Sequence, residues 1–535
     1  MVVACGSRGA PPPAAPRTEV EIHISAQAGM TATDMEAKIV GPLELELANS
    51  PHGLGTRSTT TDDGAVIALA LPTEAEAEIV DVKRRLATKL GELPRMSPPV
   101  VQLRPGPIVA RIIAFSQTLP AADVRARLWA ASGPLAEALG VGRIELCGGA
   151  VKGMVTLDPM ALTASGIALD DMIGGLQTAI NRGMGALRFD DLASLEVAVR
   201  DAQIRLRDVA TLAVLPAADE CMAADARGPV VELVVRSQAG VEPQVVRDGL
   251  PQIVAELRRA VPVAITIEQL PNDPPAMLSV AFADQDPDLG QCTRALAIVR
   301  DAVASVPGVA RMIVSNGTMD ALEPSDPRID VTVWPASAEQ AVHDRLGQLP
   351  PGLIGFAKAS PVVELRGTDR AALVDAVRIV ENKLAGQPGF AIRGHVGLST
   401  FAGAGATVDR SAAERLGVDV AAVGHLAALA SGLNVGWIAA DNGYDVPCVL
   451  RVADTPPYAA LGSMPVHTAS GNVPLRQIAA LHVEAVPRVF VHRNRWRALG
   501  IRVEIAADHT RAELAAAVAA VALPAGITAA VVDAD

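Results

Sequence analysis

The stretch at 155–180, VTLDPMALTASGIALDDMIGGLQTAI, returns at 406–431 as ATVDRSAAERLGVDVAAVGHLAALAS. Asp158 aligns with Asp409 and Gly166 with Gly417 at one constant offset. Each copy runs from an apolar strand end into an aspartate, a short helical turn, a glycine followed by a β-branched residue, a second acidic residue and an apolar helix. The local physics favours this order. An aspartate ahead of a turn accepts its free backbone N–H groups, and a glycine takes the left-handed conformation that ends the turn. Asp170 and Asp419 are expected to cap the helices that follow. A single copy is ordinary strand–turn–helix punctuation. Two copies, one in each half-chain, read as an internal duplication, so the fold has to close twice around the same unit. A shorter pair supports this, IRLRDVA at 204–210 and VPLRQIA at 473–479.

A chain of 535 residues is too long for one ordinary core. At 18–26, TEVEIHISA alternates apolar and polar residues, as a half-buried strand does. Thr31 or Thr33 can cap a helix through about residue 49, with Met35, Ile39, Leu43 and Leu47 on one face. Strand-like segments at 55–61 and 65–71 flank Asp62-Asp63-Gly64, a hairpin signal. A helix over 74–90 carries Ile79, Val82, Leu86 and Leu90 on one side, and a strand follows near 100–103. This is a ferredoxin-like split βαβ unit. A second unit starts at 108, takes in the first motif copy, and closes with strand, helix and strand over 230–269. Pro271-Asn272-Asp273-Pro274-Pro275 separates the halves. From 278 the plan repeats, with an irregular, proline-rich stretch at 441–487 after the second motif copy. The fold class is α+β, tandem ferredoxin-like units in two duplicated halves.

Composition narrows the partners. A net charge of −13, with only seven Phe, four Trp and two Tyr, argues against nucleic acid. Cys5, Cys147, Cys221, Cys292 and Cys448 lie far apart without a CxxC pair, so neither a zinc site nor a disulfide framework is expected. MVVAC at the start resembles the sequence before a lipid-modified cysteine, with Cys5 as the anchor, but lacks the apolar run of about ten residues that a signal needs. A true start upstream is one explanation, chance the other. The Pro/Ala-rich 11–16 suits a tether. Residues 420–440 lack Asp, Glu, Lys and Arg, but their His, Asn and three glycines favour a buried helix, turn and strand over a membrane span.

The arrangement resembles the periplasmic part of the resistance–nodulation–division (RND) efflux transporters. The resemblance rests on Ala28-Gly29-Met30-Thr31, Gly41-Pro42-Leu43-Glu44, the Thr60/Asp63-Gly64 hairpin, Leu157-Asp158-Pro159, Leu162 and Gly166. In the second half it rests on Leu365-Arg366-Gly367, Val408-Asp409, Gly417-Val418, Tyr444-Asp445-Val446, Val473-Pro474-Leu475 and Arg493-Asn494. It implies four porter-like units and two docking-like insertions. Their expected bounds are 18–105; 106–180 with 230–270; 278–360; and 361–433 with 488–535 for the units. The insertions fall at 181–229 and 434–487, 1–17 is a tether or remnant signal, and the linker 271–277 replaces a transmembrane block. The family's proton-relay carboxylates belong to helices that have no counterpart here, so none is assigned. The first insertion is short for a docking subdomain, which puts trimerisation in doubt.

The function expected from this is a soluble porter/docking module, periplasmic or otherwise extracytoplasmic, whose family members sit in the inner membrane. It would bind small apolar molecules or dock on an RND transporter or a periplasmic adaptor, without proton coupling of its own. The alternative is a structural assembly protein with no ligand. No HExxH, GxSxG, P-loop or GxGxxG is present, so no enzyme, catalytic residue or cofactor is assigned. Nor is any metal ligand or substrate-binding residue. His482 and His492 bracket a strand and turn and read as surface residues. Gly403-Ala404-Gly405 reads equally well as a flexible stretch able to approach a ligand and as a loop between strands. Met277, Met312 and Met319 raise a soft-metal variant, since some family members export monovalent copper or silver and thioethers suit soft cations; core or surface methionine is the plainer reading. Phe115, Phe282, Phe356, Phe390 and Phe401 fall in different units, each expected to serve a core.

Overall fold

The computed structural model describes residues 18–26, 32–48, 56–61, 64–71, 75–90, 99–182, 187–199, 202–216, 221–271, 276–282, 289–306, 311–316, 328–357, 360–398, 400–418, 423, 426, 429, 432–439, 445–452, 461–468, 471–487 and 489–532. The first unit follows its periodicity. It comprises β1 (Thr18–Ser25), α1 (Ala32–Met35), a π-helical turn (Glu36–Val40), α2 (Gly41–Ala48), β2 (Thr56–Thr61), β3 (Gly64–Leu71), α3 (Ala75–Leu90) and β4 (Val100–Leu103). β1 lies between β3 and β4, with β2 outside β3. Val20, Ile22 and Ile24 share a core with Met35, Ile39, Leu43 and Leu47, the helix face that the sequence spacing marks.

Next come β5 (Ile108–Phe115), α4 (Ala121–Ala131), α5 (Gly133–Ala136) and β6 (Val141–Cys147). They are followed by β7 (Val151–Leu157), α6 (Pro159–Ala164), α7 (Leu169–Arg182), α8 (Phe189–Leu192), β8 (Glu196–Val199), β9 (Ala202–Arg205) and β10 (Ala210–Pro216). The half-chain closes with β11 (Ala223–Asp225), β12 (Gly228–Pro229), β13 (Val231–Ser237), α9 (Pro243–Ala260) and β14 (Thr266–Gln269). The sheet order β14-β5-β13-β6 makes the second unit. Residues 106–180 therefore divide: β5 and β6 enter that sheet, while β7, α6 and α7 pack into a different core.

The second half repeats the order. It runs β15 (Ala276–Phe282), α10 (Leu289–Ala304), β16 (Arg311–Asn316), β17 (Arg328–Trp334), α11 (Glu339–Leu346), β18 (Leu353–Ala357), then β19 (Val362–Gly367), α12 (Arg370–Ala385) and β20 (Phe390–Val396). Then come β21 (Thr400–Val408), α13 (Arg410–Leu416), β22 (Leu433–Ala439), β23 (Asp445–Val452), β24 (Pro465–Thr468), β25 (Gly471–Pro474) and β26 (Ala479–Pro487). β27 (Phe490–Arg493), β28 (Trp496–Ile505), α14 (Arg511–Ala519) and β29 (Thr528–Val532) close the chain's last unit.

Among the described residues the halves interlock at three ladders. β2 pairs with β27, fusing the first and last units into one nine-stranded sheet. β7 pairs in parallel with β23. β11 pairs with β16, so a strand of the first half joins the edge of the third unit's sheet. Among the described residues no helix is long and apolar enough to cross a membrane.

The duplication is visible in atomic detail. Asp158 accepts from the backbone N–H of Met160 and Ala161, and Asp409 from Ser411 and Ala412. Gly166 and Gly417 both lie in the left-handed region, at φ 66° and 68°. The shorter repeats form matching 3-10 turns at Leu206–Asp208 and Leu475–Gln477. Both copies share one core, in which Leu162, Leu176, Ala413, Val423 and Leu426 are buried. The reading of Asp170 as a cap changes: it lies in the first turn of α7, and its Oδ1 accepts from the backbone N–H of His467, tying α7 to β24. Asp419 lies outside the described residues. Gly417→Ala is expected to cost about 1–2 kcal/mol, because an L residue is strained at that φ. Urea midpoints of the variant and the parent check it.

The cysteines correct the sequence reading. Cys147 and Cys221 form a disulfide, with Cα atoms 5.0 Å apart across 74 residues of sequence. Spacing could not show this, because the end of β6 and the approach to β11 meet only in the fold, where Gly148 N–H donates to the Cys221 carbonyl. Cys448 is free and buried, and burial pushes its thiol up to about 12.

Candidate functional site

Two groups of polar side chains are buried together. On β15 and β17, the Ser279 hydroxyl donates to Asp330 Oδ1 at 2.6 Å and Arg328 Nε donates to the same oxygen at 2.8 Å. All three side chains are buried, and Arg328 Nη1 finds no partner among the described residues. This polar face turns toward the last unit, for a Cβ on Gly394 of β20 would sit 3.6 Å from the Ala281 methyl. Thr332 on the same sheet donates to Met277 Sδ at 3.3 Å.

The second polar group sits over the β2–β27 ladder. Ser58 pairs with His492 there, in the same row as Ile67 of β3 and Ile22 of β1. That row begins in the apolar core and ends under two carboxylates from the helix above. Glu36 and Glu44 are eight residues apart, about 80° out of phase on a regular α-helix. The π-turn at Glu36–Val40 absorbs one extra residue, which brings both over the sheet. Glu36 Oε1 lies 3.3 Å from His492 Nε2, and Glu44 Oε2 lies 3.7 Å from Nδ1. Ser58 Oγ is 3.2 Å from the same Nδ1. Arg497 of β28 grips Glu36 with two bonds of 2.7 and 2.9 Å.

Burial pushes Glu36 up, but the hydrogen bonds and charges of His492 and Arg497 together bring it below the usual carboxylate value. Burial raises Glu44 and prevails over the attraction of His492 and the Ser58 hydrogen bond. Linkage gives the two opposite signs. Glu36 contributes stability that is complete above its unfolded value and lost as pH falls through its folded one. Glu44 contributes stability that is complete below its unfolded value and lost as pH rises through its folded one.

A third feature is a cleft of about 470 Å³ on α7, lined by Asp170, Asp171, Gly174, Thr178 and Glu196. It is open and acidic, and it lies on the helix that packs into the core shared by the two motif copies. Among the described residues no three His, Cys, Asp or Glu form a group able to hold a metal.

The residues singled out from sequence scatter. Met277 pairs with Thr332 and Met312 with Val333 in the register of β17; the Met312 side chain and the whole of Met319 lie outside the described residues. Phe282 and Phe390 pack against the third and fourth cores, and Phe115 against a small cluster with Trp334. Phe356 and Phe401 belong to β18 and β21, with their side chains outside the described set. Gly403 and Gly405 are not in a loop: they pair with Glu484 and His482 in the β21–β26 ladder. His482 is exposed, as expected, but His492 is only 5% exposed. Local sequence missed it because its burial comes from a helix more than 400 residues away. Glu36 and Glu44 were missed too. The signal in reach was the acidic pair on an otherwise apolar helix face.

A sequence model of the AcrB/AcrD/AcrF family matches residues 12–279. None of the curated proteins compared with the chain matches it. Among solved structures, a heavy metal efflux pump is similar at a TM-score of 0.75 and 14% sequence identity, covering 97% of this chain and 79% of that one. That likeness fixes the porter-type α+β fold over nearly the whole length, and the family model covers the first half. The chain belongs to the AcrB/AcrD/AcrF family of RND efflux transporters.

Proposed function

We propose that this chain is the substrate-handling and docking body of an RND efflux system, a soluble extracytoplasmic module that takes small apolar molecules or seats on a transporter or its adaptor. The observation that carries the reading is the interlock of the halves. Three ladders join them, and only residues 270–275 lie between β14 and β15, the place where the family has a block of helices. A body closed in this way has its porter-like and docking-like cores without needing a helix block between the halves. Size-exclusion chromatography with light scattering, on the full chain without detergent, tests the first half of the proposal: a defined folded particle is expected, and an aggregate sinks it. Thermal melts with a panel of small apolar compounds test the second half. A binder at 100 times its Kd stabilises by about 2.7 kcal/mol, so a rise of several degrees is expected for at least one compound. No rise with any of them favours a pure docking or assembly role.

A second reading, transport of a soft monovalent cation, draws on the similar structure, which is that of a heavy metal efflux pump. Met277 is its best candidate ligand. Silver titration followed by calorimetry decides it, with binding expected to vanish in Met277→Leu if the reading holds.

A further inference from the structure

We propose that Glu44 and His492 form a proton-binding site that latches the first unit to the last, the β2–β27 ladder staying closed while the pair shares one proton. The charges lead to this. Arg497 is engaged by Glu36 through two hydrogen bonds, so those two groups neutralise each other. His492 lies between them and Glu44: its Nε2 is 3.3 Å from Glu36 Oε1, and its Nδ1 faces Glu44 Oε2 at 3.7 Å with the Ser58 hydroxyl beside it, so the charge left to balance is that of Glu44. With one proton between Glu44 and His492 the pair is neutral or zwitterionic, and the buried cluster is balanced. Without that proton Glu44 is a carboxylate only 3% exposed, whose Oε1 has no hydrogen-bond partner among the described residues.

Among the described residues no other cation is paired with Glu44. Arg495, in the turn between β27 and β28, acts on Glu44 only through its charge. Lys38 of the π-turn is paired with Asp34, one turn earlier. Arg493 of β27 reaches Glu364 of β19. Arg370 of α12 lies over the Phe490 ring, 5.5 Å from its centroid, and donates to the Gly397 carbonyl. Glu36 adds a like charge that makes a second carboxylate costlier. Loss of the proton therefore falls on the join itself. The join is short, four residue pairs from Arg57–Arg493 to Thr60–Phe490. A local charge imbalance can open a ladder of that length without unfolding either unit.

Hydrogen exchange of the full chain between pH 5.5 and 9, expressed as protection factors so that intrinsic rates cancel, tests the latch. Protection in 56–61 and 490–493 is expected to fall at least about tenfold toward high pH, the change that one proton linked over one pK unit produces. β5 and β13, remote from the cluster, serve as the internal reference and stay level. Glu44→Gln needs no proton and flattens the seam profile. His492→Gln lowers seam protection across the range, and adding Glu44→Gln to it restores most of the loss, a rescue that two merely structural contacts would not give. A wild-type seam that tracks β5 and β13 at every pH overturns the proposal. So does a Glu44→Gln profile parallel to the wild type, or strict additivity in the double variant. If a variant fails to fold, the wild-type profile still decides.

Discussion

Asp330→Ala is expected to destabilise the third unit by about 3–5 kcal/mol, the range for removing one partner of a buried ion pair. Arg328 and Asp330 are 4% and 2% exposed, and Ser279 is fully buried beside them. With the carboxylate gone, the guanidinium loses the bond from Nε at 2.8 Å and keeps an Nη1 that is already without a partner among the described residues. Water cannot easily reach it, because β20 lies against the same face. The cost is thus that of a stranded charge rather than of one lost contact. Replacing both members, Arg328→Met with Asp330→Leu, should recover most of it, since apolar replacements of a whole buried pair are often neutral or stabilising. Denaturant melts of the two variants separate the cases. A double variant as unstable as the single would show that the pair shapes the sheet in some other way. The same pair marks the face between third and fourth units, so ligand melts of the double variant would also report whether a bound molecule needs that charge.

Cys147→Ser and Cys221→Ser are each expected to lose about 3–5 kcal/mol under oxidising conditions. A loop of 74 residues lies between the 15-residue and 100-residue cases of chain-entropy arguments, about 3 and 4.7 kcal/mol. Position adds to loop length. The bond fixes the end of β6, in the second unit's sheet, to the segment entering β11, which pairs with β16 of the third. Around it Ile113, Leu270 and Trp334 form a small buried cluster drawn from both halves. A thiol reductant should bring the wild type down to the variants' urea midpoint and leave the variants unmoved. A wild type indifferent to reductant would mean that the cluster holds the join unaided.

How much of this could be read from the chain alone divides by range. Local signals were legible. Asp158, Asp409, Gly166 and Gly417 do what their residue types dictate, because a cap and a left-handed glycine answer to neighbours within a few positions. The helix face of Met35, Ile39, Leu43 and Leu47 was likewise plain. What failed was non-local. TRSTTT gives β2 no apolar row to announce a partner, and nothing near His492 foretells its burial. The cysteine pair met the same limit. Glu36 and Glu44 keep the same eight-residue spacing as Met35 and Leu43, but nothing near them names His492 as the partner that they share.

The interlock also governs the order in which the molecule can be finished. Ser58 and His492 are 434 residues apart. At a synthesis rate of roughly 5–20 residues per second, the outer edge of β2 waits on the order of half a minute for β27 to emerge. Throughout that time it offers unpaired N–H and C=O groups to any passing strand. The threonine and serine side chains of TRSTTT are polar enough to keep such an edge from sticking, which gives that unpromising stretch a reason to be what it is.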